Sequence, residues 1–210
     1  WKNWLLERHP GGGAELADDW RVEGGDVFSP PSEADLAYAM IRNRRAPRKG
    51  LDFSLFTQDV ATDWAADLAA VVRAAGSGPV TLGQDEGGAA NRPKQQFHYT
   101  AVDYTSIHTW WLNDDLLWDV VSTKVPEKPN LVSETGLMRL EDIDGRAWRG
   151  PEEARDLLER KFAYAFMGRG AGVLQWIWDI NPYMPIDNEA VIGFKRPDGT
   201  FKLEVEVLRD

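Results

Sequence analysis

Pro129-Asn130-Leu131-Val132-Ser133-Glu134-Thr135-Gly136 is the stretch on which the fold turns. Leu131 and Val132 form a short apolar run in need of burial, and Pro129 punctuates its start. The run stops abruptly at a carboxylate, a hydroxyl and a glycine. A buried strand that delivers one Glu at its carboxyl end and then turns at Gly is how a parallel α/β fold presents a catalytic carboxylate. Glu134 in a solvated loop is the plain alternative, and the flanking segments decide between the two.

Upstream, Trp1, Trp4 and Leu5, then Leu16, Ala17 and Trp20, recur at helical spacing over residues 1–22, interrupted by Pro10-Gly11-Gly12-Gly13. A loop covers 23–31, and Ser32-Glu33-Ala34-Asp35 opens a short helix to about Arg42. The basic run from Arg42 to Lys49 reads as a solvated connection. Asp52 is the expected N-cap of a long helix to about Ala75. Its Phe56, Val60, Trp64, Leu68, Val71 and Val72 form one apolar stripe, which places Trp64 in the core. Gly76-Ser77-Gly78 ends that helix. Pro79 to Gly83 is then a strand running into Gln84-Asp85-Glu86, with a Gly-rich loop to about Gln96.

The next strand is expected within Ala101 to His108, followed by His108-Thr109-Trp110-Trp111 and a short helix from about Asp114 to Ser122. After the Glu134 strand comes a helix from about Glu152 to Met167, with Ala154, Leu157, Leu158, Phe162, Ala165 and Phe166 on one face. Ala171 to Trp178 is the last strand, ending in Asp179-Ile180-Asn181-Pro182-Tyr183. Pro197-Asp198-Gly199 is a turn, and Phe201 to Leu208 a short helical closing element.

Four strands alternating with helices predict a parallel sheet with crossovers of one hand. Chemistry at the carboxyl end of every strand is the habit of a (β/α)₈ barrel, yet four strands cannot close one. The chain therefore reads as the C-terminal half of a (β/α)₈ barrel, about strands five to eight, in one partial domain over 1–210. Residues 1–50 are its helical and loop lead-in, and 51–210 carry the four βα units.

Composition narrows the chemistry. The 210 residues suffice for one domain with a real core. A net charge of −10 argues against a nucleic-acid partner. No apolar run approaches a bilayer span, so no membrane partner is expected. Zero cysteines remove thiol catalysis, disulfides and thiolate metal sites, and leave the compartment open. The chain starts at Trp1 without an initiator Met or a secretory leader, which fits a processed or partial polypeptide. Ten Trp is the unusual number, and an indole face is well suited to stacking on a sugar ring. Phosphate-loop, dinucleotide and Gly-x-Ser-x-Gly signatures are all missing.

Four features together carry a resemblance over about Asp52 to Asp210. They are the Glu-Thr-Gly ending of Leu131 to Gly136, His108-Thr109-Trp110, Trp176-Ile177-Trp178, and Asp187-Asn188-Glu189 through Pro197-Asp198-Gly199-Thr200. In that order the chain resembles the second half of a clan A retaining β-glycosidase, in particular the family 5 enzymes of cellulase and mannanase type. The resemblance implies polysaccharide or glycoside hydrolysis without a cofactor. It makes Glu134 the nucleophile, His108 and Trp110 the lining of the adjoining subsite, and Trp176, with Trp178, the sugar platform. A retaining enzyme needs a second carboxylate about 5–5.5 Å away as acid/base, and His108 or Tyr104 as donor to the ionised nucleophile. Asp85, Glu86 and Asn181 complete the expected substrate contacts.

The departure is the acid/base. In clan A it is a Glu following Asn at the end of strand four, and no such pair precedes Asp52; the only Asn-Glu is Asn188-Glu189. The acid/base is therefore expected outside this chain, on a complementary N-terminal half-barrel chain or segment, with Glu86 as the alternative. A non-catalytic carbohydrate-binding half-barrel is the competing function. A weaker one is a barrel enzyme holding a divalent cation on Asp85, Glu86, Glu134 and Asp179. Plainer readings stand beside these: His108 as an ordinary strand-end histidine, Trp110, Trp111 and Trp118 as packing, Trp4 and Trp20 as core or as an interface to a missing half. His9 and His98 lack companions at metal-ligand spacing, and Asp142-Ile143-Asp144-Gly145 reads as a turn.

Overall fold

In the computed structural model, which describes residues 1–21, 26–33, 48–84, 93–110, 115–137, 149–184 and 190–209, the Leu131–Val132 run lies in the central strand of a parallel sheet. The sheet has three strands in the order β1-β2-β3: β1 is Thr105–Thr109, β2 is Asn130–Thr135 and β3 is Gly172–Gln175. A helix of nine residues, Asp115–Thr123, crosses from β1 to β2, and one of seventeen, Pro151–Met167, from β2 to β3. Parallel neighbours need such crossovers, so the alternation read from the sequence gives the α/β class. Ile107, Leu116, Val120, Val132 and Ala165 are buried between sheet and helices, with Tyr164 and Val173 against them.

Polar side chains brace the amino end of the sheet. Buried Asn130 accepts from the Thr105 hydroxyl at 2.9 Å and donates to the Val120 carbonyl and the Thr123 hydroxyl. A fully engaged buried amide costs little and fixes the strand register.

The expected strand at Pro79–Gly83 forms no regular ladder, which corrects four strands to three laddered ones among the described residues. The segment still runs alongside the free edge of β1 in the same direction. The Asp103 and His108 amides donate to the Val80 and Gln84 carbonyls, both at 2.7 Å. Between them hydroxyls substitute for the ladder: Thr81 donates to the Tyr104 carbonyl and Ser106 to that of Leu82. Asp103 also accepts the Val80 amide at 2.7 Å. That bond is the main reason its carboxyl sits below the usual carboxylate range, with Arg73 contributing.

Numbered in chain order, α1 is Lys2–Arg8, α2 Gly12–Trp20, α3 Arg48–Ala75, α4 Gln95–His98, and the two crossover helices α5 and α6. α4 lies where a loop was expected. α1 and α2 bury Leu5, Leu16 and Trp20 against Trp1, Trp4, Val27 and Phe28, as the helical spacing around Pro10 predicts. Both are tied to α3 by indole N–H groups, Trp4 to Asp59 and Trp20 to Asp52, each at 2.7 Å. Asp52 is therefore no N-cap: α3 starts earlier, at Arg48, and the carboxylate answers Trp20.

The apolar stripe of α3 divides. Phe56 packs edge-on to Trp1 and Trp4. Val60, Trp64, Leu68, Val71 and Val72 stay exposed, Trp64 by 55%. The face that α3 buries is instead Gly50, Gln58, Ala65 and Ala69, and Gln58 accepts the Lys94 amide just ahead of α4 at 2.8 Å. Trp64 is thus a surface residue, contrary to its stripe position.

Beyond β3 the chain forms a short hairpin, with single bridges from Lys195 to Asp179 and to Phe201 around the Pro197-Asp198-Gly199 turn. Asp198 closes it by accepting the Thr200 amide and hydroxyl, which hold its carboxyl below the ordinary range. The closing element is a 3₁₀ helix, Leu203–Leu208, against α6. No helix among the described residues is long and apolar enough to cross a membrane. The expected helix at 34–42, most of the basic run, and Asp142 to Gly145 lie outside the described residues.

Candidate functional site at the carboxyl ends of the strands

The register of β2 decides where Glu134 points. Ile107 pairs with Val132, but the next pair is His108 with Glu134, so Ser133 is an extra residue on β2. The shift recurs on the other edge, where Val132 pairs with Val173 and Thr135 with Gln175. Without the bulge Glu134 would share the face of Val132, two residues before it, and point into the core. With it, Glu134 falls directly opposite His108. Bulges of this kind re-aim a side chain beside a site.

Glu134 and His108 are each about three-quarters buried, and His108 Nδ1 lies 3.6 Å from Glu134 Oε2. That distance suits an ion pair when the ring is protonated but exceeds a hydrogen bond. Among the described residues the donor to Glu134 is Trp110, whose indole Nε1–H reaches Oε1 at 2.9 Å. The ring of Trp110 presses on Gly136: a Cβ there would lie 2.7 Å from Trp110 Cζ3 and 2.8 Å from Gln175 Nε2. Gly136 is therefore a close-packing glycine between two strand ends. His108 Nε2 faces Gly83 on the adjoining edge segment, 3.4 Å from where a Cβ would sit.

Lys161 of α6 underlies this arrangement. It is fully buried, and its ammonium donates to the carbonyls of Trp110 and Gly136, both at 2.9 Å. A sequence signal for it existed: Lys161 interrupts an apolar face between Leu158 and Ala165. The same face was expected to bury Phe166, which is exposed instead.

Past β3, the Trp176 amide donates to the Thr135 carbonyl at 2.8 Å, which seats its backbone beside the end of β2. The Trp176–Ile177 peptide is cis. Trp176 and Trp178 are half-exposed, and Trp178 leans edge-on against Phe201 at 5.5 Å. Both offer open indole surface after the last strand.

The other predicted positions are more scattered. Tyr104 precedes β1 and stands at the amino end of the sheet, so it does not share the strand ends with Glu134. Asn181 uses its side-chain oxygen on the Tyr183 amide. Asp179 is exposed and pairs with Lys195 at 3.5 Å. Asp85, Glu86, Trp111 and Asn188-Glu189 lie outside the described residues. Trp118 is exposed and Trp20 buried.

His9 does have companions. The turn between α1 and α2 brings Glu15 and Asp19 to it, with one possible ligand atom from each within 4.8 Å of the others. Six and ten residues separate them from His9, outside any helical ligand spacing. Their carboxylates are already engaged, Glu15 by the Gly11 amide at 2.7 Å and Asp19 by Arg48 at 3.7 Å. Among the described residues this is the one such group, and Glu134 is not in it.

No protein-family model matches the chain, and no curated protein matches it.

Proposed function

We propose that this chain is the nucleophile-bearing, C-terminal half of a (β/α)₈ barrel of a retaining β-glycosidase. One observation carries the reading. Glu134 ends the central strand of a parallel sheet, turned by a bulge to face His108 and bound by the Trp110 indole, with the half-exposed Trp176 and Trp178 after the next strand. A carboxylate with a positioned donor at the carboxyl end of a parallel strand is placed to attack a ligand resting there. Indole faces beside it suit a gluco- or manno-configured sugar.

In this reading Glu134 Oε2, the oxygen free of the indole, attacks the anomeric carbon. The C1–O bond to the aglycone breaks, and its electron pair leaves with the aglycone oxygen. Trp110 holds Oε1 and so orients the carboxylate. The acid/base that protonates an ordinary leaving group comes from a complementary N-terminal half, another chain or segment. Glu86 is the alternative. Two features support a complementary half: among the described residues β3 has no strand on its outer edge, and α3 exposes Val60, Trp64, Leu68, Val71 and Val72.

A 2,4-dinitrophenyl β-glucoside or β-mannoside releases a stable anion that needs no proton, so it tests the nucleophile apart from the acid. Dinitrophenolate release that Glu134→Gln abolishes, with circular dichroism unchanged, is the expected result. Equal release by both proteins refutes the assignment. A non-catalytic carbohydrate-binding half-barrel is the second reading. It is favoured by the lack of an Asn-Glu pair before Asp52, and binding of β-glucan or mannan oligosaccharides with no dinitrophenolate release would establish it.

A further inference from the structure

We infer that Lys161 is a positioning residue for Glu134, acting through Trp110 and Gly136. The inference rests on the glycosidase reading for what is positioned, but the geometry is independent of it.

A lysine on the core face of a helix is costly. Taking an ammonium from water into a protein interior is unfavourable unless polar groups replace its hydration. At Lys161 the replacements include two backbone carbonyls at 2.9 Å from two different strand ends. One belongs to Trp110, the first residue after β1. The other belongs to Gly136, the first residue after β2. A methionine would fill the same space without the desolvation cost, so packing alone does not call for Lys here.

The two carbonyls are those that set the site. Trp110 bears the indole that donates to Glu134 Oε1 at 2.9 Å, and Gly136 follows Glu134 by two residues. The Trp110 ring also lies against Gly136 so closely that no Cβ fits between them. Lys161 therefore closes a loop of contacts: ammonium to Trp110 carbonyl, Trp110 indole to Glu134, and the backbone from Glu134 through Gly136 back to the ammonium. Its Nζ also lies 5.9 Å from the Trp110 ring centroid, within cation–π reach. α6 thus pins two strand ends at once, and the rotation of the indole relative to the carboxylate follows from that pin. Lys161 touches no reacting atom.

Four proteins and two readouts test this: wild type, Lys161→Met, Trp110→Phe, and Lys161→Met combined with Trp110→Phe. The first readout is hydrogen exchange of the Trp110 indole N–H by NMR, which requires no activity. The second is the rate of dinitrophenolate release from the activated glycoside. Lys161→Met is expected to speed exchange of the Trp110 indole. It should also slow release by about 10- to 100-fold at saturating glycoside, the scale of a misplaced reacting group. The double variant should be no slower than Trp110→Phe alone, because Lys161 acts through Trp110. Unchanged indole exchange in Lys161→Met overturns the inference, as does a double variant slowed by the product of the two single effects. Lys161→Leu, which also offers no donor to the two carbonyls, is the second variant should the first not fold; wild-type exchange in it overturns the inference equally. If Glu134→Gln releases dinitrophenolate as fast as wild type, the glycosidase reading fails while the indole readout still judges the pin.

Discussion

Replacing Gly136 with Ala probes the site without substituting either of its polar partners, Glu134 and Trp110. Gly136 does not occupy the left-handed region, so an alanine backbone is permitted there and the effect comes from one methyl group. That methyl would meet Trp110 Cζ3 at 2.7 Å and Gln175 Nε2 at 2.8 Å. Ordinary carbon contacts begin near about 3.5 Å, so the indole must retreat by roughly 0.8 Å. The Trp110 Nε1 to Glu134 Oε1 bond of 2.9 Å would then lengthen to about 3.7 Å, beyond hydrogen-bond range. A hydrogen bond to a charged group is worth about 1.5–3 kcal/mol. Its loss predicts a roughly 10- to 150-fold slower dinitrophenolate release. The same overpacking should cost about 1–3 kcal/mol of stability. Urea unfolding followed by circular dichroism reads the second quantity, and the release assay at saturating glycoside the first. Gly136→Ala with wild-type release and an unshifted urea midpoint would refute the close-packing account of Trp110.

Other consequences are independent of that contact. His98 is buried with no hydrogen-bond partner on either ring nitrogen among the described residues, and burial pushes its pKa below the usual 6.5. Folding thus favours the neutral ring: its contribution is complete above 6.5 and falls as acidification protonates the unfolded chain first, by up to about 1.4 kcal/mol per pH unit. His98→Met should flatten that limb in urea melts between about pH 5 and 7; identical slopes in the two proteins would count against it. Asp103→Asn weakens the tie to Val80, and faster amide exchange at Val80 is the expected outcome, unchanged exchange the contrary one. Trp64→Ser should leave the stability of the chain within about 0.5 kcal/mol, since the ring is already exposed. The same change should weaken association with a complementary half, and a loss of stability above about 2 kcal/mol would show that Trp64 is packed after all.

The α/β class was legible because two crossover helices and an apolar Leu-Val run, of which Val132 is buried, leave little choice of topology. The placement of Glu134 at a strand end was legible too, from the abrupt change at Ser133-Glu134. The bulge was not: an extra residue in a six-residue strand leaves no periodic trace, although Ser133 is what turns Glu134 towards His108. Tyr104 falls outside the site because β1 starts only at Thr105 within the loosely bounded Ala101–His108 segment; one strand length separates it from His108. The α3 stripe failed for a different reason. Apolar periodicity marks a face that wants covering, and in Val60, Trp64 and Leu68 no described element covers it. Lys161 left only a faint trace: it interrupts the apolar face between Leu158 and Ala165, but a lysine there reads as surface until the carbonyls above it are known. His9, Glu15 and Asp19 met through a turn whose geometry Pro10-Gly11 signals only as a break.

The most direct test of Glu134 as nucleophile is covalent capture. Incubation of the chain with 2,4-dinitrophenyl 2-deoxy-2-fluoro-β-glucoside, and with the manno isomer, should expel dinitrophenolate. It should leave one fluoroglycosyl group on a carboxylate oxygen, because the fluorine destabilises the oxocarbenium-like transition state through which the adduct would be hydrolysed. Intact-mass measurement followed by peptide sequencing should then locate a single adduct on Glu134, absent from Glu134→Gln. An adduct on another carboxylate, or none under conditions where the sugar binds, would contradict the account.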